Sequence, residues 1–180
     1  MRSIALSLLT LLLATSAVAA DPKIENLSAV SVGGKVTVRF NLAAAFDKRR
    51  VDQVEAGAQT IITYIVEIYR DRPNWFDEGI SRSRIEVSAQ FNSVTREYLL
   101  TYRRDRKLVR SETFTDLASL EKAMTAIDEP SLFDIGARRP YKVKVRAKAD
   151  LMRGWLLYVI PWEISTRWKE TRVTALEAKP

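Results

Sequence analysis

The sequence predicts a mainly β protein: a single-domain antiparallel β-sandwich, immunoglobulin-like or similar, with two short α-helices. Three observations lead there. Lys35–Leu42 (KVTVRFNL) and Tyr141–Ala149 (YKVKVRAKA) alternate apolar and polar residues at the period of a half-buried strand. Thr60–Tyr69 (TIITYIVEIY) is β-branched and aromatic on both faces, as in a strand covered on both sides. Helical periodicity is confined to two short segments. An up-and-down β-barrel is the alternative arrangement for the same strands.

The elements follow in order. Ile24–Val32 is read as a strand that turns through Gly33-Gly34 into Lys35–Leu42, where Val36, Val38, Phe40 and Leu42 share one face. Asp47 has the place of a helix N-cap, with Val51, Val54 and Ala58 on one helical face and Gly57 near the end. Asp71–Gly79 breaks the Thr60–Tyr69 strand with Pro, Asn and Gly. Arg84–Phe91 alternates again, with Ile85, Val87, Ala89 and Phe91 expected inward. Glu97–Tyr102 and Lys107–Phe114 flank the polar turn Arg103–Arg106 and predict a hairpin. Thr115 or Asp116 caps a second helix, whose Leu117, Leu120, Ala123, Met124 and Ile127 fall at helical spacing before Pro130. In Tyr141–Ala149 the cations Lys142, Lys144, Arg146 and Lys148 face outward, and Thr171–Leu176 is a candidate last strand. Seven to nine strands are expected in one domain over residues 21–180.

Residues 1–20 have the features of a signal peptide. Arg2 is followed by the apolar run Ile4–Leu13 and the small-residue segment Ala14–Ala20, with cleavage expected near Ala19 or Ala20. Ser7, Thr10, Thr15 and Ser16 interrupt the run, which falls short of the roughly 20 apolar residues of a spanning helix. With no Cys for disulfides, an exported chain of this size fits the bacterial periplasm or envelope better than a secreted disulfide-stapled domain. The formal charge of +7 falls by one if Arg2 leaves with the leader. It favours anionic partners, and export argues against nucleic acid.

The chain contains neither His nor Cys. Histidine-assisted nucleophiles, thiolates and imidazole metal sites are therefore excluded as chemistry. Ser119-x-x-Lys122 has Ser–Lys spacing but stands on an amphipathic helix without companion motifs. Acidic loops hold Asp71, Asp77 and Glu78, and Asp128, Glu129 and Asp134; a carboxylate pair for hydrolysis is defined by spatial separation that sequence does not give. The reading is non-enzymatic, with no catalytic residue, no cofactor and no metal.

Basic residues supply the candidate binding surface. Lys142, Lys144, Arg146 and Lys148 form a stripe with a cation about every 6.6 Å. Arg103, Arg104 and Arg106 cluster with Lys107 and Arg110 at the hairpin tip, and Arg138-Arg139 precede the stripe. Solubility and protection of a sheet edge explain the same residues without a partner. Trp75 in its loop and Trp155 after Gly154 are the aromatics nominated as partner contacts. The aromatic stretch Gly154–Lys169 is too short to span a membrane and reads as two core strands jointed at Pro161, with Trp162 and Trp168 expected to be largely buried.

Taken in order, several pieces resemble the bacterial exported family called domain of unknown function 4390. They are Asn26-Leu27-Ser28, Glu55-Ala56-Gly57, the Tyr64–Arg70 strand, the turn with Trp75 and Asp77, Phe91–Thr95 leading to Arg96–Tyr102, the Phe114–Ile127 helix and the Lys142–Lys148 strand. A Trp-bearing C-terminal segment follows and departs most from the family pattern. The resemblance implies an envelope location and one β-rich domain; it carries over no activity, cofactor or catalytic residue. The expected function is a periplasmic or envelope binding module for an envelope protein. A lipid- or anionic-surface-binding protein is the alternative, and a carboxylate-based hydrolase a third.

Overall fold

The computed structural model describes residues 20–72, 78–136, 142–156 and 160–176, with the backbone alone for 152–156, 160–163 and 176. The elements are β1 (Lys23–Val32), β2 (Lys35–Ala43), α1 (Lys48–Glu55), β3 (Thr60–Arg70), β4 (Glu78–Asn92), β5 (Glu97–Arg104), β6 (Lys107–Phe114), α2 (Leu117–Thr125), β7 (Ala126–Asp134), β8 (Val143–Leu156), β9 (Ile160–Ser165), β10 (Lys169–Arg172) and β11 (Thr174–Leu176). They form two open sheets, ordered β11-β1-β2-β7 and β10-β8-β3-β4-β5-β6, with β9 paired to β8 beyond that path. The fold is a β-sandwich rather than a closed barrel, because among the described residues both sheets end in free edges. Pairing is antiparallel apart from β1 with β11, which run parallel.

The alternating segments place their apolar faces between the sheets. Val36, Val38, Phe40 and Leu42 of β2 are buried against Ile62, Tyr64, Val66 and Ile68 of β3 and their neighbours Val87, Leu100, Val145 and Ala147. Burial of such side chains contributes about 1.5–3 kcal/mol each relative to exposure. Tyr64 crosses this core edge-on to Phe40 and donates its hydroxyl to the Met124 carbonyl oxygen at 2.7 Å. Its own phenol is held well above the ordinary range by burial. The expected Gly33-Gly34 turn joins β1 to β2, with both φ values positive, a conformation glycine adopts without the Cβ clash.

Both helix caps are at the expected residues. Asp47 accepts from the Arg50 N–H at 2.8 Å, and Asp116 accepts from the Ser119 N–H at 2.8 Å. Burial holds for Val54 in α1 and for Leu120 and Met124 in α2. Both helices nevertheless end earlier at their C-termini than the apolar spacing predicts. α1 stops before Ala58, which is exposed, and α2 stops at Thr125, so Ile127 belongs to β7. Pro130 therefore lies inside a strand. Proline is tolerated there because β7 is a sheet edge, and the register slips around it, with Ser131 at φ 54°.

The aromatic C-terminal stretch divides among three strands rather than two. β8 runs to Leu156, β9 returns antiparallel with Trp155 opposite Pro161, and β10 begins at Lys169. The candidate strand Thr171–Leu176 is split at Val173, with β10 and β11 serving different sheets.

Candidate functional site

The sequence-derived basic stripe keeps its alternation. Val145, Ala147 and Ala149 are buried, and Lys144, Arg146 and Lys148 point away from the core. Its setting differs from that of a cationic edge, because β8 lies inside the sheet between β10 and β3. Register with β3 therefore brings acids to Lys144 and Arg146, and Asp150 of β8 itself stands beside Lys148. Lys144 pairs with Asp71 at 3.0 Å, Arg146 with Glu67 at 2.7 Å, and Lys148 with Asp150 at 3.0 Å. The edge-protection explanation falls with that placement, and these three positions form a neutralised ladder. Lys142 stands before β8, exposed and without an ion pair among the described residues.

Trp168 corrects the expectation of a buried aromatic. It lies between β9 and β10, 38% exposed, with Arg146 4.7 Å and Lys148 5.7 Å from its ring centroid. The turn carries its ring onto the outer face of the large sheet, where the ladder's cations provide the packing surface. Thr166 takes the buried position instead, its hydroxyl accepting from the Ala149 N–H at 2.9 Å. Trp75, Arg138 and Arg139 lie outside the described residues, as do the side chains of Trp155 and Trp162.

The hairpin of β5 and β6 is the second basic region. Asp105 and Arg106 turn it at φ 50° and 69°, and Asp105 is fixed by the Arg84 N–H at 2.8 Å and the Ser83 hydroxyl at 3.0 Å. Arg103 meets Glu86 at 3.5 Å. Arg104 reaches across to the other sheet, its guanidinium donating to Glu129 Oε2 at 2.8 Å. Glu129 is buried, and its other oxygen accepts from the buried Tyr102 hydroxyl. Burial, then the bond to Glu129 and its charge, push the Tyr102 phenol upward; the nearby Arg110 opposes the shift. This clasp anchors the turn end of the hairpin. Arg106 at the tip is exposed and has no ion pair among the described residues.

Beyond the clasp, β6 leaves the sandwich. Lys107–Thr113 is exposed on both faces, with Leu108 at 63%, Val109 at 50% and the adjacent Leu99 of β5 at 49%. The sequence predicts β6 as half of a hairpin and does not single out these apolar residues. The available signal was the pair Leu108-Val109, which breaks alternation in a short polar strand and coincides with a slip in the β5–β6 register.

A cleft opens where β8 leaves β3. Pairing between them ends at Thr63 opposite Asp150, and β8 then pairs with β9. The cleft has a volume of about 320 Å³ and receives Arg50 and Gln53 from α1, Thr63 from β3, Arg84 and Glu86 from β4, and Asp150 from β8. Burial lowers the basicity of the Arg50 guanidinium, and Asp47 partly offsets that. Glu86 and Asp150 flank Thr63 from either side, each in an ion pair with a basic neighbour. A hydrolytic carboxylic acid is typically kept in apolar surroundings instead. No cluster of metal-ligating side chains occurs among the described residues. No helix among them is long and apolar enough to cross a membrane.

No curated protein and no solved structure matches the chain. The family model described as domain of unknown function (DUF4390) matches residues 19–172, so the chain belongs to that family.

Proposed function

We propose that the mature chain is an exported, non-enzymatic interaction module of the cell envelope that accepts an extended segment of a partner protein along the edge of β6. The exposed apolar pair Leu108 and Val109 on a long, open strand edge carries this reading. A free edge offers a row of N–H and C=O groups to an added strand, and exposed apolar side chains give that strand something to pack on. The other described edges are poorer templates. β10 has 4 residues and β11 has 3, while β7 and β9 contain Pro130 and Pro161. Lys107, Arg110 and Glu112 restrict indiscriminate pairing at β6, and the exposed Arg106 beside them favours a segment with an acidic end.

The reading as an anionic-surface protein draws its support from Arg106 and Lys142, since the ladder's other cations face carboxylates. Both are tested together. Tagged mature protein is used to capture partners from envelope extract, alongside a Leu108→Asp/Val109→Asp variant with the same melting temperature. The expected result is a stoichiometric partner lost with the variant. Capture that is unchanged by the variant contradicts strand addition, and salt-sensitive retention on anionic vesicles by both proteins favours the surface reading.

A further inference from the structure

Arg50 is the charged group of the β3/β8 cleft that protein packing does not explain. It is 5% exposed, yet its guanidinium makes no hydrogen bond and no ion pair among the described residues. Asp47 accepts the Arg50 backbone N–H to cap α1, and its charge acts on the guanidinium from beyond ion-pair distance. Buried guanidinium groups are ordinarily paired, whereas the Arg50 nitrogens, none of which is sealed from solvent, open onto the cleft. The other charges of the cleft have partners. Arg84 faces Glu86 at 3.6 Å and the Thr63 hydroxyl at 3.5 Å, Glu86 also faces Arg103 at 3.5 Å, and Asp150 faces Lys148 at 3.0 Å.

We propose that the cleft binds a small molecule through an oxyanion, a carboxylate or a phosphate, seated on the Arg50 guanidinium. The planar fork of an arginine suits two oxygens of one such group. Gln53, Gln59 and Thr60 line the same cleft and can hydrogen-bond the remainder of the ligand, while Ile61 and Leu151 supply apolar wall. About 320 Å³ lies at the small end of ligand-site volumes, which suits a metabolite-sized molecule rather than a polymer. This site is separate from the β6 edge, on a different part of the large sheet.

The test is an amide NMR titration of the mature protein with inorganic phosphate and, separately, with acetate, at ionic strength fixed by chloride. Saturable shifts centred on Arg50, Thr60 and Thr63 are expected with at least one anion. Whichever anion gives them distinguishes phosphate from carboxylate recognition. Arg50→Gln weakens the titration about tenfold or more, and Arg106→Gln at the hairpin tip leaves it unchanged. Absence of saturable shifts with both anions, or retention in Arg50→Gln within about twofold, overturns the proposal. Arg50→Met supplies an independent reading. Removing an unpartnered buried charge leaves the melting temperature equal or higher, so a fall of about 4 °C or more makes Arg50 a structural residue and overturns the site.

Discussion

Glu129→Ala removes the centre of the clasp that ties β7 of one sheet to β5 of the other. The Tyr102 hydroxyl is buried, with the residue 2% exposed, and loses its acceptor. An orphaned buried hydroxyl costs about 1–3 kcal/mol. The Arg104 side chain is 37% exposed and turns to water, so its loss adds little. Removal of a buried carboxylate returns part of its desolvation cost. The net destabilisation expected is about 2 kcal/mol. Tyr102→Phe leaves a carboxylate oxygen short of a donor but retains Arg104 at 2.8 Å, for about 1–2 kcal/mol. In the double variant neither group is left unpaired, so its cost stays near that of Glu129→Ala alone. The assay is urea unfolding of the four proteins at pH 7 with a common m-value. A coupling of about 1 kcal/mol or more is expected. Additivity within about 0.3 kcal/mol would refute the clasp.

Other outcomes follow from the same residues. Burial raises the phenols of Tyr64 and Tyr102, so the unfolded chain ionises them from about pH 10 while the folded chain does not. Stability from this source is intact below about pH 10 and falls as pH rises beyond it, and in melting curves Tyr64→Phe and Tyr102→Phe each flatten that fall. Gly57→Ala meets no close atom, the Phe91 carbonyl oxygen lying 3.6 Å from an added Cβ, but it forces a residue with a Cβ to φ 81°. It is expected to cost about 1–2 kcal/mol in urea unfolding. Arg146→Gln, which loses the pair with Glu67 and the stacking on Trp168, is expected to cost about 1 kcal/mol and to shift tryptophan fluorescence to the red.

What could be read in advance divides along the range of the interactions. β2, β3 and β8 were legible because alternation, or its absence in a doubly covered strand, is written in adjacent residues. Asp47 and Asp116 were legible because capping reaches three residues along the chain. β7 was missed because Ile127 continues a helical period and Pro130 looks like a terminator until its strand is known to be an edge. Arg146 facing Glu67, and Glu129 receiving Tyr102 and Arg104, depend on register between distant strands, which no local pattern states. The same limit made the Lys142–Lys148 stripe look like an exposed cationic face and made Trp168 look buried. Arg50 could not be singled out in Lys48-Arg49-Arg50, because only the packing of α1 distinguishes the buried cation from the exposed two.

The most direct test of strand addition at β6 is amide hydrogen exchange in the complex recovered on the tagged protein. Free protein should exchange rapidly at those Leu108–Glu112 amides that point to the open edge. Occupation of that edge predicts strong slowing there, while amides already bonded to β5 and those in β10 keep their rates. Unchanged exchange across Leu108–Glu112 in a stoichiometric complex would contradict the proposal and place the partner elsewhere on the molecule.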